Sequence, residues 1–346
     1  MHWTRFLRWF LGSFLLVAGA LYAFILVMDP YEDVPFSPPL KRAPIAQNQR
    51  YSYPAVARDP AFESAVIGTS TLRLVDPALL DGPLRTRFAN LAMNSATAYE
   101  ELRMLELFVR HHPRPQYLVL GIDDSWCKQG TAPERYTFRG FPEWLYDANR
   151  WNDLLYLFND KALENAVRML QYARGKRRAK YARSGYKDFT AEFGSFELAT
   201  IRRRVYGAAH ANAPPAFGQL DLEPAAARPD LKLPNLEHLA PLLARVPAAT
   251  QLVLVFPPFH AWHLAQEAHE VRECKARVLA AVAARPGLGV VDYMLDTALT
   301  RDDTQYWDAL HPHKAVADRL AGTIAAVLAG EAPTGAEFRV RRRLAP

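Results

Sequence analysis

Five short, mostly apolar runs divide the chain into segments, and turn-forming or acidic residues follow most of them. Runs of this length and composition are typical of buried strands. Segments with apolar residues at helical spacing lie between or after them, including residues 262–284 and 314–328. The sequence therefore predicts an α/β domain over residues 61–330 with a mostly parallel sheet. The predicted strands are Ala65–Gly68, Phe88–Leu91, Tyr117–Gly121, Gln251–Phe256 and Gly289–Asp292.

The N-terminal segment is strongly apolar, with no charged residue from Trp9 to Met28. As an α-helix it would span about 30 Å, the thickness of the hydrocarbon core of a bilayer. Arginines precede this stretch and an aspartate follows it, so the positive-inside rule places residues 1–8 in the cytoplasm and the remainder outside. The alternative is a cleaved signal peptide, because Ala18-Gly19-Ala20 offers small residues to a peptidase. The apolar run continues well past that point, which favours an uncleaved transmembrane anchor.

Three regions lack the strand–helix pattern. Residues 29–60 are polar and rich in proline, which predicts an extended linker. Residues 127–234 contain crowded aromatics and then a basic stretch, which predicts a mostly helical insertion. The basic face of that insertion is either simply solvated or directed at anionic lipid or an acidic polymer. Residues 331–346 form a basic tail that we expect to be frayed.

Composition restricts the classes of function. The net charge of +6 is modest and no nucleic-acid-reading motif occurs, so no nucleic-acid partner is expected. The two cysteines, Cys127 and Cys274, either pair in an oxidising compartment or remain semi-buried thiols, since pairing requires a Cα separation that a sequence does not give. His260 and His263 lack a third ligand at suitable spacing, so we expect no metal and no cofactor.

A serine lies where the chemistry of such a domain is expected. Ser70 follows the first predicted strand, and ligands bind at the carboxyl edge of open α/β sheets. A serine becomes a nucleophile when a base contacts it, and the base needs an orienting acceptor. Asp308 and His311 lie three residues apart ahead of the final helix, so the carboxylate can orient the imidazole. The sequence therefore predicts a triad of Ser70, His311 and Asp308.

Other side chains are candidates for the same site. His313 is the alternative base, but the three-residue spacing from Asp308 favours His311. Aromatic faces near a nucleophile suit a sugar ring, although aromatic residues more often belong to a core. The candidate substrate-binding residues are Trp126, His260, Tyr306 and Trp307.

The ordered motifs of the chain resemble the SGNH (GDSL-like) hydrolase superfamily. These motifs are Gly68-Thr69-Ser70, Gly121 and Asp308-Ala309-Leu310-His311. The resemblance covers residues 62–125 and 235–328, and it implies a flavodoxin-like sheet. It also implies that Ser70 is the nucleophile, His311 the general base and acid, and Asp308 its orienting partner.

Two further motifs narrow the resemblance within that superfamily. They are Asp29-Pro30-Tyr31, just beyond the anchor, and Phe256-Pro257-Pro258-Phe259-His260. With the anchor, they are similar to motifs of extracytoplasmic proteins that acetylate polysaccharides such as alginate. A more distant similarity is to anchored proteins that aid D-alanylation of teichoic acid.

The predicted oxyanion hole departs from the superfamily, in which the donors are the serine N–H, a glycine after strand two and an asparagine after strand three. Here Ser95 or Asn94 stands at the glycine position, and Asp123 occupies the place of the asparagine. The backbone N–H groups of Ser70 and Ser95, with the Asn94 side chain, are the candidate donors. A carboxylate beside a developing oxyanion would be repulsive.

The resemblance thus implies a serine acyl-ester enzyme anchored in the inner membrane with its domain in the periplasm. The expected activity is that of an O-acetyltransferase or acetylesterase acting on an extracytoplasmic polysaccharide through an acyl-serine. Expected partners are the bilayer, through Trp9 to Met28, a polysaccharide or other hydroxyl acceptor, and a membrane-bound O-acyltransferase as donor. The altered oxyanion positions motivate an alternative, a non-catalytic scaffold or polymer-binding subunit of a polysaccharide modification complex.

Overall fold

The computed structural model describes residues 2–226 and 228–342. The strands are β1 (Ser64–Ile67), β2 (Phe88–Asn90), β3 (Tyr117–Gly121), β4 (Gln251–Phe256), β5 (Leu288–Asp292) and β6 (Arg339–Arg342). The α-helices are α1 (His2–Met28), α2 (Gln49–Ala57), α3 (Pro77–Leu84), α4 (Ala98–His111), α5 (Asp124–Cys127), α6 (Asp160–Ala173), α7 (Leu198–Tyr206), α8 (Leu239–Arg245), α9 (Ala261–Gln266), α10 (Ala268–Val282), α11 (Ala298–Arg301) and α12 (Lys314–Leu328). Short 3₁₀ turns occur between several of them.

The strands form one sheet in the order β2-β1-β3-β4-β5-β6. The first five are parallel, and β6 pairs antiparallel with β5. Val66 of β1 pairs with Asn90 on one side and Val119 on the other. The predicted α/β class with a mostly parallel sheet is therefore confirmed, and the five predicted strands all occur.

Apolar residues on both faces of the strands explain why the sheet is buried. Val66, Val119 and Val253 point to the face that α3 and α12 cover, where they pack with Leu80 and Leu320. The alternate strand residues point to the other face, where α4 contacts β1. Side chains cap two of the helices on the sheet: an aspartate caps α3, and a threonine–glutamate capping box starts α4.

The chain divides into two compact units. The smaller comprises the described residues of 1–56 and 141–183, and the larger comprises those of 57–140 and 184–346 and contains the sheet. The predicted insertion at 127–234 is therefore not one body. Its later part folds with the sheet unit because Phe189 packs on Leu74, and Ile201 packs with Trp307.

The smaller unit contains α1, most of which is exposed. The segment Trp3–Met28 has a mean hydropathy of 2.4 and is long enough to cross a membrane. The predicted extended linker over 29–60 needs correction, because it contains α2 and buries Tyr31, Ile45 and Tyr53. Its prolines keep parts of it extended, but these apolar side chains attach it to the unit.

Two other predicted elements differ from the structure. The basic tail is not frayed throughout: Arg339–Arg342 adds to the edge of β5, where Val340 packs against the core. Residues 343–346 lie outside the described residues. The predicted single helix over 262–284 is divided into α9 and α10 at Glu267.

Candidate active site

Ser70 starts a 3₁₀ turn directly after β1. Thr69 caps this turn, its hydroxyl accepting the Thr71 N–H at 3.4 Å. The side chain of Ser70 is half-buried, so its hydroxyl lies at the carboxyl edge of the sheet and remains accessible. This is the position that the sequence predicts for a nucleophile.

Ser70, His311 and Asp308 form a continuous chain of hydrogen bonds. The His311 Nε2 lies 2.9 Å from the Ser70 Oγ, and its Nδ1 lies 2.9 Å from both carboxylate oxygens of Asp308. Because an ionised carboxylate only accepts, Nδ1 carries the hydrogen and Nε2 is left to accept the Ser70 hydroxyl. The structure thus brings the three predicted side chains together in the hydrogen-bonding arrangement that the predicted roles of base and orienting acceptor require.

Asp308 is held as a carboxylate by its surroundings. Burial alone would raise its pKa, but the bond from His311 and the N–H groups of Leu310 (2.8 Å) and His311 (2.9 Å) lower it below the ordinary value. The turn itself is fixed by the His260 N–H, which donates to the Ala309 carbonyl at 2.9 Å. Asp308 therefore stays ionised and keeps the imidazole in one orientation.

Two glycines permit the close packing below the nucleophile. A Cβ on Gly68 would lie 3.5 Å from the Gly121 Cα, and a Cβ on Gly121 would lie 2.8 Å from the Leu72 Cδ1. Leu72 belongs to the same 3₁₀ turn as Ser70. The Leu72 side chain thus packs over the ends of β1 and β3 in space that a side chain at 121 would take.

Asp123 holds both neighbours of the nucleophile. Its side chain is 1% exposed, and the hydroxyls of Thr69 and Thr71 donate to Oδ2, the latter at 3.2 Å. Its Oδ1 accepts the N–H (3.0 Å) and hydroxyl (2.6 Å) of Ser125 and so caps α5. These four bonds use Asp123 as an acceptor, so it is not arranged to donate to an oxyanion. Burial raises its pKa, and the four donors oppose that rise.

The other tentative oxyanion residues lie on the loop after β2. Ser95 is exposed and has φ of 50°, the left-handed region that favours glycine. Asn94 is half-buried, and its Oδ1 accepts from the Arg73 Nη1 at 2.5 Å. Arg73 thereby connects this loop to the nucleophile turn, since it follows Leu72 directly.

Aromatic rings flank the imidazole of His311. The ring centroids of Phe189 and Phe193 each lie 5.8 Å from that of His311. Phe193 also stacks on Trp307 at 5.5 Å, and Trp307 stacks on His313 at 4.5 Å. The sequence interpretation missed both phenylalanines. Phenylalanines at 189, 193 and 196 in an otherwise polar segment were the available signal.

The predicted substrate-binding residues are mostly interior. Trp126, His260 and Tyr306 have no exposed surface, whereas Trp307 is 9% exposed. The Trp126 Nε1 donates to the Glu101 carboxylate at 3.3 Å. In this conformation Trp307 is the one member of the set that presents any surface to a ligand.

His260 takes part in a buried network next to the turn that carries Asp308 and His311. Its Nδ1 accepts the Trp262 N–H at 3.1 Å and so caps α9, and its Nε2 lies 3.2 Å from the Asp303 carboxylate. Tyr206 (2.5 Å) and Arg202 (2.7 Å) also donate to Asp303. Burial lowers the pKa of His260, so it is a neutral donor to Asp303.

No metal centre is formed by the part of the chain that the structure describes: it holds no group of three histidine, cysteine or acidic side chains suited to an ion. His263 lies 3.7 Å from Asp124 and 3.8 Å from Glu267, too far for hydrogen bonds. Cys127 and Cys274 form a disulfide with a Cα separation of 5.3 Å. This bridge joins α5, which follows Asp123, to α10.

Comparisons with known proteins add no assignment to this geometry. No family model matches the chain, and no curated protein matches its sequence significantly.

Proposed function

We propose that this protein is a membrane-anchored serine acyl-ester enzyme with an SGNH hydrolase-like domain. The observation that carries the proposal is the hydrogen-bonded chain Ser70–His311–Asp308, formed by segments from opposite ends of the domain. The strand order 2-1-3-4-5 of the parallel strands supports it, because flavodoxin-like sheets have this order and bind ligands at their carboxyl edge.

The geometry supports a two-step acyl transfer. His311 takes the proton of Ser70 as the oxygen attacks the acyl carbonyl, and Asp308 stabilises the imidazolium. The tetrahedral intermediate collapses when His311 returns that proton to the leaving oxygen, which leaves an acyl-serine. In the second step His311 takes the proton of a sugar hydroxyl or water, whose oxygen attacks the acyl carbon, and returns that proton to the Ser70 oxygen as the acyl-serine bond breaks.

The substrate proposed is an acetyl ester on the donor side and an extracytoplasmic polysaccharide on the acceptor side. The apolar α1 supports anchoring at the membrane, with the inner membrane and periplasm as the proposed location. The Cys127–Cys274 bridge supports an oxidising compartment. A membrane-bound O-acyltransferase is the proposed donor. Transfer to the polysaccharide and hydrolysis share the first step, so the triad serves both.

The test uses the full-length protein in detergent micelles, an activated acetyl ester and a fluorophosphonate probe. Wild type is expected to hydrolyse the ester and to be labelled at Ser70. Ser70→Ala should abolish labelling and reduce kcat by about 10⁴-fold or more. Ser195→Ala, at an exposed serine outside the triad, is the matched control and should behave as wild type. A wild-type protein that is neither labelled nor active contradicts the proposal.

A second candidate is a non-catalytic scaffold or polymer-binding subunit of a modification complex. The observation that favours it is that Asp123 accepts hydrogen bonds at the position where the superfamily that the chain resembles has a donor. Measuring polysaccharide acetylation in cells that carry Ser70→Ala separates the two functions. An acetyl content equal to wild type, with loss only on deletion of the whole protein, supports the scaffold.

A further inference from the structure

The smaller unit carries an exposed apolar surface beside α1. We define this apolar surface as five side chains, each more than half exposed: Phe36, Trp151, Leu155, Tyr156 and Phe158. Four of them belong to or flank the 3₁₀ turn Asn152–Tyr156. Exposed groups of this size mark a surface that contacts another phase or molecule.

Direct contacts fix this surface to the membrane-length helix. The Tyr22 hydroxyl of α1 donates to the Leu154 carbonyl at 2.8 Å, and its ring meets Phe158 edge-on at 5.6 Å. Phe36 stacks on Trp151 at 5.9 Å. Tyr22 precedes the last residue of α1, Met28, by six positions, which is about 9 Å along a helix. The apolar surface thus lies alongside the last turns of α1.

A charged group marks the level at which α1 leaves a membrane. The Arg42 guanidinium donates to the carbonyls of Val27 and Met28, both at 3.1 Å. A guanidinium avoids hydrocarbon, so the end of α1 coincides with the polar boundary. Leu154 and Phe158 contact α1 on the membrane side of that level. Asp160 and Lys161 follow Phe158 and are exposed, and their charges limit the insertion of this surface to the headgroup region.

The chemistry of the turn suits a lipid interface. Two of its carbonyls find side-chain donors: Leu154 accepts from Tyr22, and Tyr156 accepts from the Asn159 side chain at 2.7 Å. Lipid offers no hydrogen bonds to backbone groups, so such pairing is required there. Tryptophan and tyrosine, both present on the surface, are the residues enriched at membrane interfaces.

The basic stretch after α6 lies outside the apolar surface. Within α6, the Asn165 amide donates to the Tyr31 hydroxyl, and the Tyr172 ring lies under the Lys41 ammonium. Both partners follow the end of α1 along the chain, so α6 also packs on the segment beyond α1. Arg178, in the stretch beyond α6, is exposed and serves as a control position outside the apolar surface.

We propose that the apolar surface inserts into the headgroup–acyl boundary of the membrane that α1 crosses. The smaller unit is then held by two contacts, the transmembrane helix and this interfacial turn. The inference rests on the anchoring role of α1 in the proposed function. It predicts that lipid, and no second protein, covers Leu155.

The test places a fluorescent NBD probe at single cysteines of the full-length protein, with the native disulfide left oxidised. Leu155→Cys reports the apolar surface, Arg178→Cys the control position, and Leu16→Cys the middle of α1. The variants are reconstituted in phosphatidylcholine–phosphatidylglycerol vesicles that carry nitroxide lipids, either shallow or deep. Iodide serves as the aqueous quencher.

The emission of the probe at position 155 is expected to be blue-shifted. Shallow nitroxides should quench this probe more than deep ones, and iodide should not quench it. The probe at 16 should be quenched most by deep nitroxides, and the probe at 178 only by iodide. If deep nitroxides quench the probe at position 16 while only iodide quenches the probe at position 155, the interfacial proposal is overturned and the anchoring role of α1 is retained. If 16 does not respond to lipid quenchers, the anchor is wrong and this proposal fails with it.

Discussion

Replacing Asp123 by asparagine tests how the nucleophile turn is held in place. The carboxylate accepts two hydroxyls on Oδ2, from Thr69 and Thr71, on either side of Ser70. Asparagine has the same shape, but one of its two polar atoms is a donor. The substitution therefore changes the hydrogen bonds of the turn with little change in packing.

The structure gives both the direction and the size of the effect. Each bond to an ionised acceptor contributes about 1.5–3 kcal/mol, but the Thr69 and Thr71 hydroxyls can rotate to accept from the new amide. Burial also raises the pKa of Asp123, so part of its bonding energy offsets desolvation. We expect Asp123→Asn to lower the free energy of unfolding by about 1–3 kcal/mol. Loosening of the turn should lower kcat about 10- to 100-fold.

The opposite result follows if Asp123 faces the developing oxyanion. Asparagine would then remove a repulsive charge and supply a donor, and one such donor typically changes kcat by about 10²–10³-fold. The two accounts therefore differ in the sign of the change in kcat. We regard Asp123 as a positioning residue because all four of its hydrogen bonds run to the loops and none to the triad.

The assay combines kcat and KM for an activated acetyl ester with thermal melting of the same preparations. Asp124→Asn is the matched control, because it makes the same chemical change one residue later, outside the bonds to Thr69 and Thr71. It should leave kcat unchanged. An Asp123→Asn variant with kcat equal to or above that of wild type would refute the positioning role, whatever its melting temperature.

Three other outcomes follow from the structure. Burial, with two neighbouring carboxylates, raises the pKa of Asp124 from 3.8 to about 8. Between these values the native state binds more protons than the unfolded state, so the free energy of unfolding falls as pH rises. The melting temperature should therefore fall less between pH 5 and pH 8 in Asp124→Asn than in wild type. Reduction of the Cys127–Cys274 bridge should lower the free energy of unfolding by about 2–4 kcal/mol, measured by denaturant titration with and without reductant. Phe193→Ala, which removes a ring against His311, should lower kcat/KM about tenfold or more without loss of fluorophosphonate labelling at saturating probe.

The strands and the triad were accessible from sequence because their signals are local. Apolar runs ending at turn residues marked all five parallel strands, and helical spacing marked α12 at its observed bounds, Lys314–Leu328. Asp308 and His311 are only three residues apart, so their spacing in the sequence was sufficient to predict that they pair. Only the meeting of Ser70 with His311 required a fold, and the predicted α/β order supplied one.

The rest depended on contacts between distant segments, which no local pattern encodes. The Thr69 hydroxyl donates to the Asp123 carboxylate, and these two residues are 54 positions apart in the sequence. Phe189 and Phe193 reach His311 from a segment without strand–helix rhythm. Strand β6 was missed because three of its four residues are arginines, so its sequence resembles a solvated tail.

The position of Ser70 is set by the sheet core as much as by the turn that contains it. Leu72, two residues after the nucleophile, lies against both Gly68 and Gly121, and any side chain at 121 would meet it at 2.8 Å. The same convergence of β1 and β3 brings Thr69 within hydrogen-bond reach of Asp123. A glycine at the end of each strand therefore does two things: it lets Leu72 pack between the strands, and it lets the following polar residues bond to one another. The nucleophile turn is thus held from below by packing and from its side by the buried carboxylate, which leaves the hydroxyl of Ser70 directed at His311.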